Sequence, residues 1–91
     1  MKIRIQFRLF ADLIKAAGGK EVVEEVEDGT TFKELIHQAA KKYGSAFLEI
    51  LDGDNLNLNY LILKNGENLQ SADVKLKNGD EVAIFPAICG G

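Results

Sequence analysis

Residues 31–44 read TFKELIHQAAKKYG, and this stretch decides the fold. Thr31 with Glu34 three positions on forms a capping box, the pairing that satisfies free N–H groups at the start of a helix. Phe32, Leu35, Ile36, Ala39, Ala40 and Tyr43 then fall at i, i+3, i+4, i+7, i+8 and i+11, a single apolar stripe. Gly44 stands where a helix commonly ends on a residue without a Cβ. His37 lies roughly opposite the stripe, which predicts a solvated surface histidine. The spacing therefore predicts one long amphipathic helix, and no other segment carries a stripe of this breadth.

Working outward toward the N-terminus, Asp28-Gly29 signals a turn. Lys20 to Val26 reads as a strand with an acidic outer face of Glu21, Glu24, Glu25 and Glu27. Ala11 to Ala17 is short enough for a helical turn ended by Gly18-Gly19. That glycine pair lacks the spacing and helix start of a phosphate cradle. Lys2 to Phe10 alternates cleanly: Ile3, Ile5, Phe7 and Leu9 point one way, and Lys2, Arg4, Gln6 and Arg8 the other. Toward the C-terminus, Ser45 to Leu51 is a candidate short helix and Asp52 to Asn55 a loop without the glutamate that would complete a calcium site. Tyr60 to Leu63 is a short strand closed by the tight-turn dipeptide Asn65-Gly66. Asn78-Gly79 marks another turn, and Glu81 to Phe85 is a final strand whose pairing Pro86 limits.

The order strand, strand, helix, strand, strand, with one helix to cover one face of a mixed sheet, predicts an α+β fold of the β-grasp (ubiquitin-like) class. In that arrangement the first and last strands lie side by side at the centre. A ferredoxin-like fold would need a second long helix, and Ser45–Leu51 is too short for one. The expected organisation is a single domain over residues 1–86 followed by a thin, flexible tail, residues 87–91.

Composition narrows the function. The chain has 91 residues, enough for one domain and one modest core. Its formal net charge of −3 argues against nucleic acid, which is bound by clustered Lys and Arg. No apolar run reaches the about 20 residues needed to span a bilayer, so no membrane role is expected. The opening MKIRIQF lacks the unbroken apolar stretch of a signal peptide, which makes a cytoplasmic location the default. The lone Cys89 and lone His37 offer neither an internal disulfide nor a ligand set, so no metal and no bound cofactor are expected.

Two features point to function. Strand parity puts Phe10 on the polar face of the first strand. It also turns Phe85 outward with Glu81 and Ala83, while Val82 and Ile84 face in. An outward aromatic pair on neighbouring strands predicts a protein interface. The second feature is the ending Ile88-Cys89-Gly90-Gly91. Chance alone gives a Gly-Gly end roughly once in 200 chains. Coming after a strand that ends at Pro86, however, two residues without Cβ atoms make a tail slim enough to thread a narrow channel and present a carboxylate.

The stretch GDEVAIFPAICGG, residues 79–91, resembles the C-terminal signature GDEVAxFPPxxGG of the small subunit of molybdopterin synthase, the MoaD family. Leu9-Phe10-Ala11, Asp28-Gly29-Thr30-Thr31 and Asn65-Gly66 resemble its first strand, helix start and central turn. The wider group of ubiquitin-like sulfur carriers takes in ThiS-like carriers for thiamine, carriers for tRNA thiolation, and small archaeal modifier proteins. The resemblance implies that a ubiquitin-activating-like (E1-like) enzyme adenylates the Gly91 carboxylate with ATP, and that a sulfur donor then leaves a thiocarboxylate. It implies the large synthase subunit as a second partner and, for a modifier, target-protein lysines. It implies no catalysis by the chain itself. It also places a hydrophobic partner-binding patch at Phe10 and Phe85, with Leu69 as a third member and Pro86 as a fourth. Ala87 stands where a second proline is usual, and Cys89 where Ser or Thr is common.

Overall fold

In the computed structural model, which describes residues 1–10 and 12–86, the chain forms a five-stranded mixed sheet with one main helix against one face. Ala11 and the predicted tail, with Ile88, Cys89, Gly90 and Gly91, lie outside the described residues. The elements run β1 (Lys2–Leu9), α1 (Asp12–Ala17), β2 (Glu21–Glu27), α2 (Phe32–Tyr43), a 3-10 helix (Ser45–Ile50), β3 (Leu51–Asp52), β4 (Asn55–Leu56), β5 (Tyr60–Lys64), β6 (Glu67–Asn68) and β7 (Glu81–Pro86). The sheet order is β2-β1-β7-β5-β6. The first and last long strands are parallel central neighbours, with Phe7 opposite Val82 and Leu9 opposite Ile84. This is the expected β-grasp architecture.

Alternation along β1 decides which face is buried. Ile3, Ile5, Phe7 and Leu9 are all in the core, joined by Val26, Ile62, Val82 and Ile84 from the other strands. Phe32, Leu35, Ile36 and Ala39 of α2 close over them, fully buried. The 3-10 helix adds Phe47, whose ring meets Phe7 edge-on at 5.9 Å between centroids.

The helix start is held from both sides. Thr31 Oγ1 accepts from the Glu34 N–H at 3.2 Å, and Glu34 Oε1 accepts from the Thr31 N–H at 3.0 Å. The N–H groups of Phe32 and Lys33 donate to the carbonyls of Val74 and Ala72, so the loop before β7 supplies acceptors for donors a helix start leaves unpaired. At the other end of that loop, Asp80 is buried and fixes the approach to β7. It accepts from Asn65 Nδ2 at 2.9 Å and from the Lys77 N–H at 2.8 Å. Asn65 and Gly66 both take positive φ, 54° and 86°, the geometry an Asn-Gly hairpin turn requires.

Glu24 departs from expectation. It does not belong to the acidic outer face: it is 2% exposed and points inward with Val22 and Val26, as a period of two demands once Val26 is in the core. Its carboxylate accepts from the Tyr43 hydroxyl and, at 3.1 Å, from Lys42 Nζ. Burial first, and then the hydrogen bond to Glu24 and that group's charge, push the Tyr43 phenol up. The outward parity falls instead to Glu21, Val23, Glu25 and Glu27, and Val23 is 57% exposed. Smaller differences concern boundaries. Residues 51–56 fold as a miniature β3–β4 hairpin rather than a loop, and the Ser45 helix is 3-10. Pairing of β7 with β5 runs through Pro86, whereas pairing with β1 stops at Ile84, before the proline's missing N–H would matter.

Glu24→Ala strands the Tyr43 hydroxyl and should cost about 1–3 kcal/mol in urea melts, against about 0.5 kcal/mol or less for the exposed Glu25→Ala. The capping box predicts an acid dependence. Hydrogen bonds from the Thr31 N–H and then its hydroxyl lower the Glu34 carboxyl below its ordinary 4.5. A carboxyl depressed by folding stabilises fully above its unfolded value and loses that contribution as pH falls through the folded one. Glu34→Ala should therefore be less stable than the parent near neutral pH, and the gap should narrow as melts are taken below pH 4.5.

Candidate docking face at the tail root

The face of the sheet away from α2 carries the residues nearest the tail. Register assembles them: Ala83 lies between Arg8 and Leu63, and Phe85 lies opposite Leu61. Phe10, one residue past the end of β1, lies beside Phe85. The two rings stack with centroids 4.1 Å apart and an interplanar angle of 25°. The structure brings the two phenylalanines together, both half-buried, on the face that strand parity predicts, while the half-buried Pro86 takes the opposite parity with Val82 and Ile84. Stacked aromatic side chains that keep part of their surface open make strong anchors for a protein partner.

Leu69 does not join them. It is 9% exposed and sits in the core cluster, with its N–H donating to the Ile62 carbonyl at 2.9 Å. Leu69 continues the antiparallel ladder of β6 with β5, which sets it opposite Ile62 and on the same inward face. The outer position is taken by Leu61, 43% exposed and directly across from Phe85, with Leu63 next along the same face. Leu61 was legible in principle: once Ile62 is assigned inward, its strand neighbours face out.

Charges frame this apolar patch. Arg8 pairs with Glu81 at 3.9 Å on the same face, and Lys64 approaches Asp80 at 3.9 Å. A small groove of ≈ 70 Å³ opens where β7 ends, with Phe10, Leu13, Tyr60 and Pro86 among its walls and Asp12 and Glu49 at its rim. Burial first, then the charges of Glu49 and Asp12, push the Tyr60 phenol up. His37 is exposed on α2, far in sequence from every residue of this face. Among the described residues no group of three or more His, Cys, Asp or Glu side chains could hold a metal ion, and no helix is long and apolar enough to cross a membrane. The arrangement offers an apolar, aromatic surface beside the end of β7.

The family model described as the ThiS family matches residues 7–91. Small archaeal modifier protein 1 of Haloferax volcanii is 26% identical over 88 residues, covering 96% of this chain and 100% of that protein. Among solved structures, a Pyrococcus furiosus chain assigned as molybdopterin converting factor subunit 1 superposes with a TM-score of 0.77 at 28% identity, covering 94% of this chain and 99% of its own. Small archaeal modifier protein 1 of Methanosarcina acetivorans superposes with a TM-score of 0.75 at 28% identity, covering 100% of this chain and 99% of its own. The chain belongs to the ThiS family, the group of ubiquitin-like sulfur carriers and small archaeal modifiers.

Proposed function

We propose that this protein carries sulfur on its Gly91 carboxyl group, as the small subunit of a molybdopterin synthase-type complex. The observation that carries the proposal is the family match itself, which runs through the diglycine to Gly91. The stacked Phe10–Phe85 pair beside Pro86 supports it, because a carrier without catalytic groups needs a surface by which enzymes grip it.

The chemistry follows from the weakness of a carboxylate as an electrophile. In an E1-like enzyme, a Gly91 oxygen attacks the α-phosphorus of ATP and pyrophosphate leaves. A sulfide-level donor then attacks the acyl carbon, the carbon–oxygen bond to AMP breaks, and a thiocarboxylate remains. The chain supplies the reacting group and the docking face, and the enzyme supplies the nucleotide. Gly90 and Gly91 leave the end of the chain without side chains that would obstruct a narrow channel. In the synthase-type complex the large subunit holds the sulfur acceptor, and the same apolar face serves both encounters in turn.

A second reading has its own support, since the relative from Haloferax volcanii is named as a modifier protein. There Gly91 forms an isopeptide bond with lysines of target proteins. Both outcomes share the adenylate, and the acceptor that meets it selects between them.

Incubating the protein with its adenylating enzyme, ATP and a sulfide source should raise its intact mass by the difference between sulfur and oxygen, localised to Gly91. An unchanged mass would overturn the carrier reading. The modifier reading predicts instead a ladder of conjugates in source-cell extracts that vanishes when Gly91 is deleted. For the docking face, Phe85→Ala should weaken binding of the adenylating enzyme about ten- to a hundred-fold by calorimetry, while the chain stays folded by circular dichroism.

A further inference from the structure

The groove at the root of the tail extends the sulfur-carrier reading, on which this inference rests. Asp12 opens α1 and Glu49 lies in the 3-10 helix, so two separate elements bring a carboxylate to one rim. Among the described residues neither side chain has an ion-pair partner, a state they share with Glu21, Asp28, Glu34, Asp52, Glu67 and Asp73, but these two alone among the unpaired acids line the groove. Both charges act on the same phenol, Tyr60, which forms one wall of the groove. The site therefore combines a negative rim with aromatic walls from Tyr60 and Phe10, in a space sized for the head of one side chain.

We propose that this groove receives a single cationic side chain, an arginine or lysine, from the adenylating enzyme. A guanidinium suits it best, since its N–H groups pair with carboxylates while its plane stacks on an aromatic face. The choice of partner follows from reach. Gly91 is the fifth residue after Pro86, and five extended residues span at most about 18 Å. An enzyme that holds the Gly91 carboxylate against ATP must therefore cover the groove at the tail root. A site that binds a triphosphate is itself lined with cations, so its margin is the surface a negative rim attracts. The groove also shares Phe10, whose ring stacks on Phe85, with the apolar docking face, which joins the two surfaces into one interface.

The test is steady-state ATP–pyrophosphate exchange by the purified adenylating enzyme, with the carrier as varied substrate. Asp12→Asn with Glu49→Gln should raise KM for the carrier about three- to ten-fold, leave kcat within about two-fold, and flatten the dependence of KM on salt. Reversing both charges to lysine should raise KM further. The single neutralised variants provide the same comparison should a double variant fold poorly, with circular dichroism as the check. Asp28→Asn, an exposed change at the far turn, is the control and should leave KM unaltered. An unchanged KM and salt dependence in the neutralised variants, with normal exchange by the parent protein, would overturn the cation site and leave the carrier reading standing. No exchange with the parent protein would overturn both.

Discussion

The parallel rungs between β1 and β7, Gln6 to Leu9 against Glu81 to Ile84, join two distant parts of the chain at the middle of the sheet. Much of the structure depends on that pairing. A parallel pair requires a crossover connection, and α2 is the element with an apolar stripe broad enough to seal the face it crosses. Because the strands are parallel, both leave the sheet at the same end. The residues just past their shared rungs, Phe10 and Phe85, therefore meet, and the segment after Pro86 starts beside them. Topology thus gives the docking face and the tail root a common location.

Local devices hold this register. The Asn65–Asp80 contact ties the β5–β6 turn to the start of β7, and the Gly79 N–H donates to the Arg4 carbonyl at 2.8 Å. The capping box at Thr31 and Glu34 sits beside the loop carbonyls of Ala72 and Val74, so helix start and final strand are anchored through the same stretch of chain. A residue such as Asp80 reads as an ordinary turn aspartate in sequence. Buried, it accepts from a side-chain amide and a backbone N–H and fixes where the last strand begins.

What the sequence reveals depends on the strength of each periodic signal. The alternation of β1 and the stripe of α2 are long and uninterrupted, and they predict the buried faces residue by residue. The same parity puts Phe10 and Phe85 on the outer face. Glu24 escapes it because an acidic side chain is assigned by its charge to the solvent, although Val22 and Val26 on either side demand an inward position. The partners that make its burial tolerable, Lys42 and Tyr43, are about a score of residues away and invisible to a local pattern. Leu69 is misplaced for a related reason. Its role comes from a resemblance and not from alternation, and the hairpin geometry that carries it inward is set by only a two-residue strand. The groove formed by Asp12, Glu49 and Tyr60 is likewise illegible in sequence, since it exists only when three separate elements converge.

On the proposed function, the fold supplies recognition and the carboxyl group at Gly91 supplies reactivity. The most direct test of that division is the chemical state of Gly91 in protein isolated from its own cells. Labelling a fresh extract with an electron-deficient sulfonyl azide, which captures thioacids as stable amides, and then sequencing the C-terminal peptide by mass spectrometry reads it in one step. The account predicts a peptide ending at Gly91 with the label on its carboxyl carbon. A peptide that carries only a plain carboxylate under conditions of active sulfur transfer, or that continues beyond Gly91, would contradict it.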